Sequence, residues 1–164
     1  MLLLGLLFGT ALILYLLSVF RADVSVIIAN VNGVVSGNTY SDGVANAAII
    51  VGQMIHQKAG DGYWYPAQSN TTGEVSGSTA VGIALNSAPG AGQPVRVFKS
   101  GKINPGNTGL VVGQTYVMSV NLGGIAPNTD LVTGNYVTSI GVAISASQLQ
   151  TPSSGIFATA ITRA

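Results

Sequence analysis

Few side chains in this sequence could take part in a reaction. His56 is the only histidine, so a metal site built on it would need carboxylates from distant parts of the chain. We expect His56 at a partly exposed position on a strand. The five acids are scattered, at Asp23, Asp42, Asp61, Glu74 and Asp130. The pairs Asp42-Gly43 and Asp61-Gly62 are typical of turns, where a carboxylate bonds local backbone and does not act in acid/base catalysis.

Motifs for known chemistries are missing from the sequence. It has no G-x-S-x-G elbow, no H-E-x-x-H helix and no glycine-rich phosphate loop. It also has no Cys, which excludes disulfides and thiolate metal sites. We therefore predict that the protein is not an enzyme and that it uses no catalytic residues, metal or cofactor.

The clearest aromatic cluster is the tripeptide Tyr63-Trp64-Tyr65. On a strand the two tyrosines would share one face and Trp64 would lie on the other. An exposed aromatic platform could stack on a sugar or anchor a neighbouring subunit. Alternatively, Trp64 fills the core while the tyrosines line a subunit contact. Both interpretations remain open from the sequence.

The segment RVFKSGK places Arg96, Lys99 and Lys102 within seven residues. As a strand it would put Val95 and Val97 on the face opposite Arg96. One interpretation is a patch for nucleic acid or lipid phosphate. The other, which we favour, is a solvated strand edge where basic side chains discourage edge-to-edge pairing.

The composition of the chain is more typical of a subunit of an oligomer than of a soluble monomer. Charged residues make up 7% of the chain, against a norm of about 25% in globular proteins. The net charge of +1, from six basic and five acidic residues, argues against nucleic acid as a partner. Near-zero net charge promotes self-association. We expect a homo-oligomer whose surface is largely covered by copies of itself and by other subunits.

Residues 1–21 form a separate apolar segment that ends at its first charge, Arg21. As a helix, residues 2–20 would span about 28 Å, close to the thickness of the bilayer core. We predict a membrane anchor or an assembly rod buried in protein. A signal peptide is the third alternative, although it would need a positively charged start. The helix residues are Leu2, Leu3, Leu4, Gly5, Leu6, Leu7, Phe8, Gly9, Leu12, Leu14, Leu16 and Leu17.

Residues 22–164 have the pattern of an all-β domain. Short apolar runs alternate with Gly, Asn, Pro and Asp at intervals of about 8–12 residues, which is typical of a small barrel or a sandwich. The best helix candidate is residues 42–53, which could form two turns ending at Gly52.

The β domain also repeats itself. The stretch VGQMIHQKAGDGYWYPA (51–67) is answered by VGQTYVMSVNLGGIAPN (112–128), and VGIALNSA (81–88) by IGVAISAS (140–147). The offsets are 61 and 59 residues, so order and spacing are both kept. We predict two related β units at about residues 51–88 and 112–147.

Residues of about 50–150 resemble a known group of proteins. The segments VGIALNSAPGAGQPVRVFKSGKI and VGQTYVMSVNLGGIAPNTDLVTGNYVTSIGVAISASQL are similar to the small decoration and head-fibre proteins of bacteriophage capsids. The resemblance implies a β-rich homo-oligomer, with a trimer favoured, bound to other capsid proteins of a virion and without catalytic residues. The N-terminal apolar segment departs from that pattern and suggests either a virion with an internal membrane or a shell into which the helix threads.

These features predict a minor capsid, cement or spike-base subunit of a virion, tethered by its N-terminal helix. The alternative is a signal-anchored subunit of a cell envelope, either pilus-like or binding glycans through its aromatic cluster.

Overall fold

The computed structural model describes residues 38–70, 81–106 and 109–162. These residues are all-β, apart from a single 3₁₀ turn at Asn128–Asp130. The strands form two antiparallel sheets, and within the described residues neither sheet closes on itself. The predicted all-β class is therefore confirmed, with two open sheets. Of the described segments, none is a helix long and apolar enough to cross a membrane.

The first sheet has the strand order β1-β5-β4-β2-β3. Its strands are β1 (Thr39–Val44), β2 (Met54–Gln57), β3 (Trp64–Pro66), β4 (Val81–Ala84) and β5 (Pro94–Ser100). The second sheet has the order β6-β10-β9-β7-β8, and an additional strand pairs with β9. Its strands are β6 (Lys102–Ile103), β7 (Thr115–Met118), β8 (Ile125–Pro127), β9 (Tyr136–Ser145), β10 (Gln148–Gln150) and the additional β11 (Phe157–Thr162).

The two sheets are built in the same order and in the same register. In the first sheet Ile55 lies opposite Gly82 on one side and Pro66 on the other. In the second sheet Tyr116 lies opposite Gly141 and Pro127. We call residues 39–100 the first copy and residues 102–150 the second copy. Their common origin by duplication stays a prediction, while their shared topology is a property of the structure.

The turn that leads into the second strand of each copy has the same hydrogen bonds. Gly52 N–H donates to the Ala84 carbonyl at 2.8 Å, and Gly113 N–H donates to the Ala143 carbonyl at 2.8 Å. Both glycines have positive φ, 88° and 83°, a conformation that L side chains rarely adopt. The Val-Gly-Gln signature in the sequence thus encodes one turn, used twice.

Close strand packing explains a second pair of glycines. A Cβ atom added at Gly82 would lie 2.6 Å from the Phe98 carbonyl oxygen of β5. One added at Gly141 would lie 2.2 Å from the Gln150 carbonyl oxygen of β10. Gly82 and Gly141 therefore mark matching places where the neighbouring strand, β5 or β10, leaves no room for a side chain.

One buried cluster lies on a single face of the first sheet. By strand alternation Ile55, Ala84 and Val97 share this face. The segment after β1 covers it, and the cluster consists of Ala45, Ile49, Ile55, Trp64, Ala84, Ala88, Val95 and Val97. The opposite face is also buried, since all four residues of β4 are inaccessible to solvent.

The helix predicted for residues 42–53 does not form. β1 continues to Val44, Ala45 then bridges to Trp64, and Ile49 exchanges two backbone hydrogen bonds with Ala88, at 2.8 and 2.9 Å. Ala45 and Ile49 do have helical spacing, but their backbone groups bond to other strands instead of to each other. Tertiary pairing has overridden a weak local preference.

Candidate functional site: an open apolar face

The aromatic tripeptide divides between core and surface. Trp64 is buried in the first-copy core, with its indole Nε1 packed against the backbone of Gly43. Tyr63 is exposed and Tyr65 is half-buried. Any platform for a ligand or a subunit would therefore have to use the two tyrosines without the Trp64 ring.

Hydrogen bonds around Tyr65 hold the turn at residues 58–63. Its hydroxyl donates to Asp61 Oδ2 at 2.8 Å and accepts from the Asn46 side chain. Asp61 Oδ1 accepts the Tyr63 N–H at 2.9 Å, and this bond, with the Tyr65 hydroxyl, holds the pKa of the Asp61 carboxyl below its usual value. Asp61 is thus the local turn residue that the sequence predicts.

His56 is buried, not partly exposed as expected. It lies directly opposite Tyr65 in the β2–β3 pairing, and the two rings stack with their centroids 5.8 Å apart. Stacking beneath the tyrosine removes the imidazole from solvent. Among the described residues, no group of three His, Asp or Glu side chains lies close enough to hold a metal ion.

The three cations of the basic segment do not meet. β5, which carries Arg96 and Lys99, pairs with both β1 and β4, so the strand edge that we favoured is wrong for these two residues. Arg96 forms an ion pair with Asp42 at 2.8 Å, where the sequence predicted that Asp42 would bond local backbone. Lys99 lies on the opposite face of β5, with its amine 4.4 Å from the centroid of the Trp64 ring. Burial lowers the pKa of Lys99 to about 8. Lys102 is exposed on β6, beyond the bend between the sheets.

The most distinctive surface is an apolar face on the second sheet, which we call the open face. Val142 and Ile144 alternate outward on β9 and are each 40% exposed. Their counterparts in the first copy, Ile83 and Leu85, are 0% and 3% exposed. The same sheet position is therefore covered in one copy and uncovered in the other. The sequence prediction missed this face, because the two copies have the same apolar pattern there and only the structure shows which one is covered.

A turn of the second copy docks onto the strand ends of the first. Gly123, in the β7–β8 turn, lies between Met54 and Ala67: Met54 N–H donates to the Gly123 carbonyl at 2.8 Å, and Gly123 N–H donates to the Ala67 carbonyl at 2.7 Å. Ser69 N–H also donates to the Ser119 carbonyl at 2.8 Å. These bonds join the copies into one body, and we call this contact the internal junction.

Two counterparts of the buried junction residues are exposed. The first-copy counterpart of Gly123 is Gly62, which is exposed, whereas Gly123 is buried. The second-copy counterpart of Ala67 is Asn128, which is exposed, whereas Ala67 is buried. The described hydrogen bonds of the junction thus use the turn of the second copy and the strand ends of the first.

Comparison of the chain with protein-family models, curated proteins and solved structures gives no match. The predicted membrane or assembly helix, residues 2–20, lies outside the described residues. Among the described residues, the open face is the feature that bears most directly on function.

Proposed function

We propose that this protein is a structural subunit of a symmetric homo-oligomeric assembly, of the capsid-decoration or spike-base type found in virions. The observation that carries the proposal is the open face. Val142 and Ile144 occupy positions that the first copy buries completely or nearly so. Apolar residues arranged on a regular strand and left uncovered are typical of a surface that another subunit covers.

The distribution of charge supports the same conclusion. The net charge is +1, and the exposed ion pair between Arg96 and Asp42 neutralises two of the few charges on the first sheet. Such a surface offers little electrostatic repulsion to association. The assignment to a virion rests on the resemblance of residues 50–150 to capsid decoration proteins, and the tether rests on the apolar run at residues 2–20.

The described polar groups support a structural role over a catalytic one. His56 is stacked beneath Tyr65, and both carboxylate oxygens of Asp61 hold a turn. The Asp42 carboxylate is engaged by Arg96, which lowers the pKa of Asp42 through their hydrogen bonds. These contacts of His56, Asp61 and Asp42 stabilise local structure.

Sedimentation velocity of the full chain in mild detergent tests the proposal. We expect a discrete oligomer at up to about 100 μM, where a standard-size interface of micromolar affinity is occupied. A chain that stays monomeric throughout this range would contradict the structural role. Particles purified from the cells or lysates that produce the chain should contain it at a fixed ratio to the main shell protein; its absence would refute the virion assignment alone.

Flotation of the full chain with phospholipid vesicles tests the tether. We expect the chain to float, because nine leucines within residues 2–20 favour insertion by roughly 4–5 kcal/mol. A chain that oligomerises but remains at the bottom of the gradient would instead make residues 2–20 an assembly rod.

A further inference from the structure

The turn at residues 58–63 of the first copy has the same backbone shape as the turn at residues 119–124 of the second. In each turn the N–H of the first residue donates to the carbonyl of the last, at 2.9 Å in the first copy and 3.0 Å in the second. Gly62 has φ 75° and Gly123 has φ 73°. The two turns can therefore be compared residue by residue.

The side chains on these two turns are very different. In the first copy the turn and the strand that follows it carry two tyrosines, one cation and one carboxylate. The counterparts of Lys58, Asp61, Tyr63 and Tyr65 are Ser119, Leu122, Gly124 and Ala126. Because the second copy forms the same turn without these four side chains, the backbone fold does not require them.

The four side chains gather on one face of the β2–β3 hairpin. Across this hairpin Lys58 N–H donates to the Tyr63 carbonyl, and His56 lies opposite Tyr65. By strand alternation Lys58, Tyr63 and Tyr65 therefore share a face. The Asp61 carboxylate joins them, since it accepts the Tyr65 hydroxyl at 2.8 Å.

The ring of Tyr63 is the uncovered member of this group. It is 41% exposed, and among the described residues no cation and no second aromatic ring lies over it. Its neighbours in the turn are small, and a Cβ atom added at Gly60 or Gly62 would meet nothing within 4 Å. Tyr40 is also exposed but differs, because Arg96 Cζ lies 4.9 Å from the centroid of its ring.

Hydrogen-bonding groups of both kinds lie next to Tyr63. Each Asp61 carboxylate oxygen accepts one described hydrogen bond, from Tyr63 N–H or from the Tyr65 hydroxyl, so each can accept another. The bond from Tyr63 N–H, and to a smaller extent the Lys58 charge, hold the pKa of Asp61 below its usual value. The carboxylate is therefore charged at neutral pH. Within the described part of the chain, the Lys58 amine makes no hydrogen bond or ion pair, so its donors are available.

We infer that this face of the β2–β3 hairpin binds the ring of a neutral hexose. One side of a pyranose ring presents C–H groups, which pack on the Tyr63 ring, and its edge presents hydroxyls. A hydroxyl both donates and accepts, so it can bond to Asp61 and to Lys58. A charged ligand would attract one of these two groups and repel the other. The inference goes beyond the proposed assembly, since the open face belongs to the other sheet.

Saturation-transfer difference NMR of the full chain tests the site. The probes are methyl β-glucoside and methyl β-galactoside at about 10 mM, above the dissociation constant of about 1 mM that one shallow contact provides. The chain is kept in a zwitterionic detergent that has no sugar headgroup. We expect transfer to the C–H protons of at least one of the two glycosides. Absence of transfer to both would overturn the inference.

Variants of the tyrosine test the stacking contact. We expect Y63A to weaken glycoside binding by at least about 10-fold, because the ring that covers the C–H face is gone. Y63F keeps the ring and should stay within about 3-fold of the original chain. Y40A is the matched control, since it removes an exposed tyrosine on β1, and it should leave binding unchanged. Equal losses in Y40A and Y63A would mean non-specific contact with tyrosines and would overturn the inference.

D61N tests the polar part of the site. Asparagine keeps an oxygen that can accept the Tyr63 N–H, so the turn is retained, while the negative charge is lost. Because hydrogen bonds to a charged acceptor are the stronger ones, we expect binding to weaken by about 3- to 10-fold. An unchanged melting temperature shows that the turn is intact. Unchanged binding in D61N would overturn the inference, since any exposed aromatic ring would then be sufficient.

The failure of this inference and the failure of the proposed function are distinguishable. If neither glycoside binds and Y63A weakens self-association in sedimentation, the Tyr63 face is a contact between subunits. That result would overturn the hexose site and leave the structural role standing. A full chain that binds a glycoside but stays monomeric would support the hexose site and contradict the proposed assembly.

Discussion

The two sheets share one strand order but differ in the character of the face that carries Ile83 in the first copy and Val142 in the second. In the first sheet the part of this face around Ile83 is buried, with Met54 opposite Ile83 and Phe98 on the neighbouring strand. In the second sheet Thr115 lies opposite Val142, which is 40% exposed. The same strand order thus carries a core in one place and a surface in the other.

The substitutions between the copies describe what kind of surface this is. Met54 and Phe98 correspond to Thr115 and Gln150, whereas the apolar residue at Ile83 is kept as Val142. Apolar residues at the centre with polar neighbours are the usual composition of a subunit interface.

The largest effect should come from placing a charge at the two matched positions. In I83E the carboxylate would be enclosed on a fully buried strand, and we expect a loss of at least about 4 kcal/mol in the free energy of unfolding. In V142E the carboxylate reaches solvent, and the loss should stay near 0.5 kcal/mol. Urea denaturation of the dilute chain measures both. Similar losses would mean that the open face is covered within the monomer.

Replacing each of the two turn glycines, Gly62 and Gly123, by alanine should give a smaller difference in the free energy of unfolding. G62A and G123A both force a residue with a side chain into positive φ, at a cost of about 1 kcal/mol each. Only in G123A would the new Cβ atom also crowd the Gln53 side chain, which adds about 1 kcal/mol to the loss of stability.

The control for that comparison is G134A. Gly134 has φ 88°, and an added Cβ atom there meets nothing within 4 Å, so this variant reports the cost of positive φ alone. Thermal unfolding should place G62A beside G134A, with G123A lower than both. If G62A instead falls with G123A, the first-copy turn is already packed against another surface.

Much of the fold follows from local sequence signals. Val-Gly-Gln appears twice because its glycine, Gly52 or Gly113, has a positive φ, and glycine recurs at Gly82 and Gly141 because a Cβ atom there would clash with the neighbouring strand. Strand length and class follow from the spacing of turn residues. The predicted helix at 42–53 is wrong because its apolar residues pair with distant strands, which local spacing cannot reveal.

The candidate site was harder to predict, because burial depends on what the rest of the chain places over a face. Val142 and Ile83 have equivalent neighbours in the sequence, so alternation alone treats them alike. His56 was missed for the same reason, since its burial depends on the opposite strand, which supplies Tyr65. A function such as the proposed attachment to a virion is harder still to predict from local sequence patterns, because it depends on a partner outside the chain.

The smallest predicted effect concerns Lys99, whose counterpart in the second copy is the buried Thr151. Lys99 donates to the Val81 carbonyl at 3.0 Å while its amine is partly desolvated over Trp64. Burial lowers its pKa from 10.5 to about 8. Between these values the unfolded chain keeps a proton that the folded chain has lost, so the free energy of unfolding rises with pH. Below pH 8 both states are protonated, and the cost of enclosing the charge is present in full.

We therefore expect the full chain to gain roughly 1 kcal/mol between about pH 7.5 and 9.5, after allowance for the partial exposure of the amine. In a chain of this size the gain is about 2–4 °C in melting temperature. K99M removes the titrating group and should show a flatter profile over the same range, whatever its stability at pH 7.5. Parallel profiles for the two proteins would mean that the Lys99 amine is solvated in the folded chain. Its protonation would then make no contribution to the pH dependence of stability.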